Sequence, residues 1–295
     1  MTIFLCGSNG QLGKSILISS KNKDNIIKIN KKDLDISDFK RAKFYFEKYK
    51  PSIVINAAGY TNVDKAETEK EKAYKANCLG PRNLAYFANI FNSLLIHFST
   101  DYVFDGSKNK LYKENDKMKP ISVYGKTKMF GEKEIIKSKC KYLIIRVSWL
   151  YSHFNNMNFL NKMIELSKSK SHIDIVSDQK GIPTSSLELS KNLWKIIKKC
   201  KSEKNNLSSG IYHFSQNGKT ISFYEFAKFI FDYMSKKNFI VPKIRPILSS
   251  NYNKKIIRPL FSGLDNDKLS KEFNLNIEKW QLSLKYILQL KLKNL

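Results

Sequence analysis

Thr2-Ile-Phe-Leu-Cys-Gly-Ser-Asn-Gly-Gln-Leu-Gly13 is the stretch that decides the fold. Residues 2–6 form a short apolar run, which is typical of a buried strand. Glycines follow at positions 7, 10 and 13, and a helix is predicted from Gly10 to about Ser20. Glycines in this place allow a tight turn and a close approach of backbone to a pyrophosphate, while the helix start supplies N–H donors. The spacing Gly-x-x-Gly-x-x-Gly therefore favours a nucleotide-binding loop over an ordinary glycine-rich turn.

The next 140 or so residues repeat the alternation of strand and helix that the first segment begins. Further apolar runs at 26–29, 52–56, 93–98 and 142–147 predict strands, and the segments between them predict helices. The stretch 65–92 contains Pro81, so its helix is expected to be kinked or split. Alternation of this kind predicts a Rossmann-type, doubly wound parallel sheet covered on both faces.

The regular alternation of strand and helix ends at about residue 150. Helices are predicted at 154–169, 185–200, 222–237 and 277–292, with short strands at 172–175 and 211–214. We therefore expect a dinucleotide-binding domain over 1–150. Residues 151–295 should form mainly a smaller α/β substrate lobe, with some segments returning to the main sheet.

Composition excludes several classes of function. The formal charge is +27, but the lysines that carry it are spread over the whole chain, which favours a basic surface rather than a specific nucleic-acid site. No apolar run reaches the roughly 18 residues of a membrane span. Cys6, Cys78, Cys140 and Cys200 form no Cys-x-x-Cys pair, and no signal peptide is recognisable, so a reducing cytoplasm is expected. The four histidines show no metal-ligand spacing, so no metal is expected.

Tyr124 and Lys128 are the strongest catalytic candidates. They stand four apart in a segment predicted to be helical, so both side chains should lie on one face. An ammonium beside a phenol favours the phenolate, and we expect Lys128 to lower the pKa of Tyr124 toward neutral pH. The pair would then pass a proton to or from an oxygen. Tyr-x-x-x-Lys also arises by chance, and the pair gains weight from the glycine loop that precedes it.

Two further positions bear on cofactor and substrate. Thr100 follows the fourth predicted strand, where its hydroxyl could hydrogen-bond a substrate carbonyl or merely cap a turn. Asn30 stands at the end of the second strand, where an acidic residue would normally bind the adenosine ribose. Because Lys31 and Lys32 follow it, we expect NADPH, with NADH as the open alternative.

Several motifs, in order along the whole chain, resemble one family. They are the loop at Gly7, Gly10 and Gly13, Asn56-Ala-Ala58, Val63-Asp-Lys-Ala-Glu67, Ser99-Thr-Asp-Tyr-Val-Phe104, Tyr124 with Lys128, Arg146-Val-Ser-Trp149, Asp178-Gln-Lys-Gly-Ile-Pro-Thr184, Arg258-Pro259 and Trp280-Gln281. Together they resemble the dTDP-4-dehydrorhamnose reductases, which are extended short-chain dehydrogenases/reductases.

The resemblance implies NAD(P)H-dependent reduction of the 4-keto group of dTDP-4-dehydro-6-deoxy-L-mannose to dTDP-L-rhamnose. It implies Tyr124 as the general acid, Lys128 as the residue that tunes it, and Thr100 as a further catalytic residue. The substrate would contact Thr100, Asp101 and Trp149, and a homodimer remains open. The implied cofactor residues are Gly7, Gly10, Gln11, Leu12, Gly13, Asn30, Asp35, Ile36, Gly59, Tyr60, Thr61, Tyr124 and Lys128.

Two alternatives remain at this stage. A non-catalytic NADP-binding regulatory subunit, such as the β subunit of methionine adenosyltransferase, resembles the same family and could retain these residues. A nucleotide-sugar epimerase or dehydratase of the same superfamily is the other. A dehydratase would place a carboxylate pair after the threonine, whereas here Asp101 is followed by Tyr102.

Overall fold

The computed structural model describes residues 1–20, 25–154, 158–202, 209–252 and 257–293. Its strands are β1 (Ile3–Cys6), β2 (Ile26–Ile29), β3 (Ile53–Asn56), β4 (Leu94–Thr100), β5 (Lys141–Val147), β6 (Leu150–Tyr151), β7 (His172–Val176), β8 (Lys180–Gly181), β9 (Thr184–Ser185), β10 (Gly210–Phe214), β11 (Ile221–Ser222) and β12 (Lys243–Ile247). Its α-helices are α1 (Gln11–Ser19), α2 (Phe39–Tyr49), α3 (Val63–Ala66), α4 (Lys70–Tyr74), α5 (Gly80–Ile90), α6 (Val123–Lys137), α7 (Phe159–Ser167), α8 (Ser186–Ser202), α9 (Phe223–Ser235), α10 (Ser249–Tyr252), α11 (Asp267–Phe273) and α12 (Trp280–Leu292).

The main sheet has six strands in the order β10-β5-β4-β3-β1-β2, and all neighbouring strands are parallel. The Rossmann-type fold expected from the sequence is therefore confirmed. The strand order changes direction between β1 and β3, and the crevice beyond the carboxyl ends of such strands is where these sheets bind ligands.

Successive residues of each strand point to opposite faces of the sheet, and each face has its own apolar core. Ile3 and Leu5 pack into the cluster that α1, α8 and α11 cover, whereas Phe4 packs into the cluster covered by α2 and α5. A third cluster, which includes Tyr151 and Trp280, belongs to the C-terminal half of the chain. Because β10 joins the main sheet beside β5, the C-terminal half contributes both to the main sheet and to the third cluster. The division into two domains at residue 150 remains a prediction.

The predicted break at Pro81 has a definite form. Residues Lys75–Leu79 form a π-helix, and α5 begins directly after it with Pro81 in its first turn. The backbone stays helical through this junction, where the N–H of Gly80 donates to the carbonyl of Lys75, so the proline follows a π turn within one continuous helix. The predicted helix at 154–169 begins at Phe159, and residues 155–157 lie outside the described part of the chain.

Within the described ranges, no helix combines the length and the apolar character that crossing a membrane requires. Cys6, Cys78 and Cys140 are buried thiols. The cytoplasmic location and the homodimer expected from the sequence remain predictions.

Candidate active site

The glycine loop after β1 has the close backbone contacts that its composition predicts. Gly7 has a φ of 78°, and a Cβ at this position would lie 2.6 Å from the backbone nitrogen of Ala58. A Cβ on Gly13 would lie 2.8 Å from the Cα of Ser8. Only glycine fits either position, and the loop therefore keeps the start of α1 against the end of β1, where its N–H groups are available to a phosphate.

A cavity of about 430 Å³ opens beyond the carboxyl ends of the central strands. It joins the glycine loop, the segment after β3, the end of β4, the first turns of α6 and the start of the C-terminal half. Most of the residues implicated by the sequence line this one space: Gly10, Gln11, Leu12, Gly59, Tyr60, Thr61, Thr100, Asp101, Tyr124, Lys128 and Trp149.

The other predicted cofactor residues lie outside the cavity lining, at Gly7, Gly13, Asn30, Asp35 and Ile36. Asn30 uses its side-chain oxygen to accept from the backbone N–H of Lys32 at 2.8 Å, which shapes the turn after β2. Burial alone would raise the pKa of Asp35, but hydrogen bonds from Ser37 and the charge of Lys31 lower it overall. Ile36 is buried. Whether this turn binds an adenosine remains a prediction.

Tyr124 and Lys128 share the cavity, as their spacing on α6 predicts. Ser122 caps this helix by accepting from the N–H of Gly125 at 3.1 Å. Gly125 leaves room for the backbone of Tyr102, whose ring lies edge-on to that of Tyr124 at 5.4 Å. Lys128 is 5% exposed, and its Nζ donates to the carbonyl oxygen of Phe98 at 2.6 Å.

The expected pKa of Tyr124 is wrong in direction. Burial raises the pKa of this phenol well above its ordinary value, and hydrogen bonding with Thr100 offsets only part of that effect. Burial also lowers the pKa of Lys128 to about 8. Spacing on a helix shows that two groups share a face, but it does not show how far both are removed from water. Tyr124 is consequently a phenol that keeps its proton, which suits a proton donor.

Thr100 and Asp101 form a small polar centre at the end of β4. Thr100 Oγ1 donates to Asp101 Oδ1 at 3.0 Å and accepts from the N–H of Tyr102 at 3.2 Å. Burial raises the pKa of Asp101 to about 6, against hydrogen bonds from Ser262 and Thr100. Among the described residues, Asp101 Oδ2 and the neighbouring Ser99 Oγ are buried without a hydrogen-bond partner.

The sequence analysis missed Asn77, which positions one edge of the cavity. Its Oδ1 accepts from the N–H of Tyr60 at 2.9 Å, and its Nδ2 donates to the carbonyl of Tyr60 at 3.0 Å and to Thr127 Oγ1 at 3.1 Å. It lies in the π-helix, a conformation found frequently at functional sites. Pro81 signalled an interruption of this helix, but nothing in the sequence indicated which side chain the interruption would turn toward the loop.

The sequence analysis also missed three aromatic residues of the C-terminal half that lie around Trp149, which it had predicted as a substrate contact. The indole of Trp149 stacks on Phe223 with ring centroids 3.7 Å apart, and Phe159 lies 4.9 Å from the same phenyl ring. Trp149 has a φ of 47°, in the left-handed region that a bulky residue rarely adopts, and such strain persists only where the surroundings enforce it. Trp149, Phe159, Phe223 and Phe226, together called the aromatic group below, line the cavity.

Residues 258–262 of the C-terminal half lie against the predicted catalytic residues. Arg258 forms an ion pair with Asp64 at the start of α3, and its interaction with Tyr102 lowers the pKa of that phenol against burial, which raises it to about 12 overall. Ser262 hydrogen-bonds Asp101. Arg258-Pro259, noted in the sequence only as part of a motif, therefore lies against residues that contact Tyr124.

The residues present fit a dinucleotide. The glycine loop is a cradle that a Cβ would fill, the helix start provides N–H groups for a pyrophosphate, and the cavity holds buried oxygens without partners among the described residues. Within the described ranges, no cluster of three or more His, Cys, Asp or Glu side chains could hold a metal ion.

A parallel sheet with this loop and with a tyrosine–lysine pair in the same cavity defines the class, an extended short-chain dehydrogenase/reductase. Comparison with known proteins refines it. The family model described as RmlD substrate binding domain matches residues 1–292. The dTDP-4-dehydrorhamnose reductase of Aggregatibacter actinomycetemcomitans is 36% identical over 97% of each chain.

Two solved structures agree with this result. A dTDP-4-dehydrorhamnose reductase from Clostridium acetobutylicum superimposes with a TM-score of 0.89 at 36% identity, over 98% of this chain and 99% of that one. A dTDP-4-dehydrorhamnose reductase from Bacillus anthracis in complex with NADP gives 0.88 at 33% identity, over 97% and 99%. The chain belongs to the dTDP-4-dehydrorhamnose reductase family, a family of oxidoreductases.

Proposed function

We propose that this protein reduces the 4-keto group of dTDP-4-dehydro-6-deoxy-L-mannose, giving dTDP-L-rhamnose, with Tyr124 as the general acid. One observation carries the proposal: a phenol that retains its proton lies in the same cavity as the glycine loop and as Thr100 and Asp101. The sugar is inferred from the relatives, which are dTDP-4-dehydrorhamnose reductases, and the proton transfer is inferred from the residues of the cavity.

The reaction needs a hydride at the carbonyl carbon and a proton at the carbonyl oxygen. A bound reduced nicotinamide supplies the hydride. The hydroxyl of Tyr124 then gives its proton to the developing alkoxide, while Thr100 turns its single hydroxyl hydrogen from Asp101 to the same oxygen as its negative charge grows. Lys128 would provide a hydrogen-bond donor to the cofactor ribose, and Asp101 would bind a sugar hydroxyl through Oδ2, for which the described residues provide no partner.

The aromatic group supports a role in holding the nucleotide part of the substrate. Flat rings at stacking distance, as in the Trp149–Phe223 pair, offer a surface on which a base or a sugar face can pack. Binding free energy from this distant part of the substrate can be used to orient the reacting carbonyl. The proposal therefore divides the cavity into a part that does chemistry and a part that recognises the substrate.

NADPH is the proposed cofactor. The turn after β2 presents the exposed side chain of Lys31 and contains no acidic residue at position 30. A carboxylate at that position would repel a 2′-phosphate, whereas lysines attract one. The related Bacillus anthracis structure contains NADP, which agrees with this choice. NADH remains a substrate to be compared.

Mixing the purified protein with the dTDP-4-keto-6-deoxy sugar tests the proposal. Absorbance at the reduced-nicotinamide band is followed with NADPH and with NADH in separate reactions, and the product sugar is identified by mass and NMR. We expect oxidation of NADPH in proportion to the dTDP-L-rhamnose formed. Tight NADPH binding without any oxidation would contradict the enzyme and favour the non-catalytic regulatory subunit.

A further inference from the structure

The catalytic lysine has an unusual neighbour in the interior of the sheet. His97 lies in β4 and is fully buried, and its Nε2 is 3.3 Å from Nζ of Lys128. Its other ring nitrogen, Nδ1, is 3.0 Å from Nδ2 of Asn56 on the adjacent strand β3. The sequence analysis noted of the four histidines only that their spacing fits no metal site, and the contact with Lys128 gives His97 a role of its own.

The orientation of the Asn56 amide determines which ring nitrogen carries the proton. Asn56 Oδ1 accepts from the backbone N–H of Ala58 at 3.1 Å. Turning the amide over would place its NH₂ group against that N–H, so Nδ2 is the atom that faces His97. Nδ2 is a donor only, and His97 Nδ1 must therefore be the acceptor.

A neutral imidazole has a single N–H, which this arrangement places on Nε2, facing Lys128. An ammonium group has three donors and no acceptor, whereas an amine has a lone pair that can accept from Nε2–H. The amine also keeps hydrogens with which to donate to the carbonyl of Phe98 at 2.6 Å. Only the uncharged form of Lys128 satisfies all of these contacts at once.

We propose that His97 is a positioning residue that acts through Lys128: Asn56 fixes the imidazole as its Nε2–H tautomer, which favours the uncharged amine of Lys128 over the ammonium.

The charges around the pair agree with this assignment. Burial lowers the pKa of His97 well below its ordinary value, so its ring is neutral, and a charge on Lys128 would lower that pKa further. Burial lowers the pKa of Lys128 to about 8, and the charge of Glu132 on the same helix opposes this effect. Glu132 is itself paired with Arg146 of β5 at 2.7 Å. From the other side of the cavity, Asp101 adds a carboxyl whose pKa is raised to about 6.

The consequence for catalysis is a lysine whose two protonation states are both accessible near neutral pH. A lysine with an ordinary pKa would hold its proton throughout this range. In its protonated state, Lys128 can instead release a proton into the cavity, where Tyr124 has given up its own and can take one up. His97 affects this exchange without touching substrate or cofactor.

Long-range ¹H–¹⁵N spectra of protein labelled at its histidine ring nitrogens test the tautomer directly and do not depend on the proposed reaction. We expect His97, assigned with a His97→Gln variant, to remain neutral with its proton on Nε2 between pH 7 and 9. A proton on Nδ1, or a charged ring, would overturn the proposal.

A second arm rests on the proposed reduction and follows kcat/KM against pH. The pKa of Tyr124 lies far above this range, so the loss of activity at alkaline pH reports Lys128. In His97→Gln the amide oxygen can accept from the ammonium, and the alkaline limb should move up by about one pH unit. If the alkaline limb of the kcat/KM profile stays in place in His97→Gln, or shifts to lower pH, the inference is contradicted.

His213→Gln is the matched control. His213 is also fully buried, lies in β10, and has a pKa lowered by burial to about 3, but it contacts Arg146 rather than Lys128. Its substitution should lower the stability of the protein in a similar way and leave the alkaline limb where it is. If both variants move the limb equally, the effect is one of general destabilisation and His97 has no special role.

Discussion

The catalytic group (Thr100, Asp101, Tyr124 and Lys128) and the aromatic group line the same cavity, yet they are built in different ways. The catalytic side chains come from the end of β4 and the first turns of α6, and hydrogen bonds within the main body hold them. The aromatic side chains come from three separate places, namely Trp149 just before β6 and the helices α7 and α9 of the C-terminal half, and ring contacts hold them. If the two groups have the roles proposed above, the difference predicts that reaction chemistry and substrate recognition can be changed independently.

The largest effect should come from Tyr124→Phe, which removes only a hydroxyl. Loss of a positioned proton donor typically costs about 10²–10⁴-fold in rate. We expect kcat to fall within that range while the Kd for NADPH stays nearly constant, as measured by single-turnover kinetics and fluorescence titration. Tyr142→Phe, which removes a hydroxyl outside the cavity, should retain full activity. Residual activity above about one tenth of the original would contradict the role of Tyr124.

Asp101→Asn should lower activity and raise stability at the same time. The pKa of Asp101 is raised to about 6, above its ordinary value of 3.8, so its buried carboxylate costs stability above pH 6. That cost disappears as the pH falls through 6 toward 4, where the carboxyl takes up a proton in the folded state. A shift of this size corresponds to up to ~3 kcal/mol in the free energy of unfolding at pH 7.5.

Denaturant unfolding at pH 7.5 and pH 4.5 measures this difference, and Asp105→Asn is its control. Hydrogen bonds from Ser107 lower the pKa of Asp105 to about 2, so this carboxylate stabilises the protein above its unfolded pKa. Its substitution should therefore destabilise the protein at both pH values, because the stabilisation is lost only as the pH falls from 3.8 toward 2. If both substitutions change the free energy of unfolding at pH 7.5 in the same direction, the description of the polar centre at Asp101 is wrong.

The aromatic group should give the smallest effect and a different kinetic signature. Phe223→Ala removes the ring that stacks on Trp149, and a pair of this kind contributes roughly 0.5–1.5 kcal/mol. We expect KM for the nucleotide sugar to rise about 3–10-fold with kcat changed by less than a factor of ~3, in keeping with that energy. Phe229→Ala, on the same helix but packed on Trp280 at 5.2 Å, should leave KM unchanged. A large fall in kcat for Phe223→Ala would show that the aromatic group also affects the chemical step, and would contradict the separation of the two groups.

The two groups also differ in how far the sequence predicts them. The catalytic group occupies short motifs, Ser99-Thr-Asp-Tyr-Val-Phe104 and Tyr124 with Lys128, whose spacing, together with the preceding glycine loop, indicates proton transfer. Phe159 and Phe223 stand in ordinary amphipathic helices, and only tertiary packing brings them to the cavity. Local periodicity predicts that such residues are apolar, and it cannot predict whether they face a core or a ligand.

The same distinction explains the error over Tyr124. The sequence correctly predicts the parallel sheet, the glycine loop and the common face of Tyr124 and Lys128. It gives the wrong direction for the pKa of Tyr124, because that value depends on burial by chain segments far away in sequence. Asn77 was missed for the same reason, since its contacts with Tyr60 arise only when the π-helix packs beside the loop.

The separation of chemistry from recognition is tested most directly by a double-mutant cycle with Tyr124→Phe and Phe223→Ala, measured as kcat/KM on the same nucleotide sugar. The account predicts that the two losses multiply, with a coupling energy below about 0.5 kcal/mol. A double variant as active as Tyr124→Phe alone would show that the phenyl ring acts only by positioning the sugar for the tyrosine, and would contradict the separation.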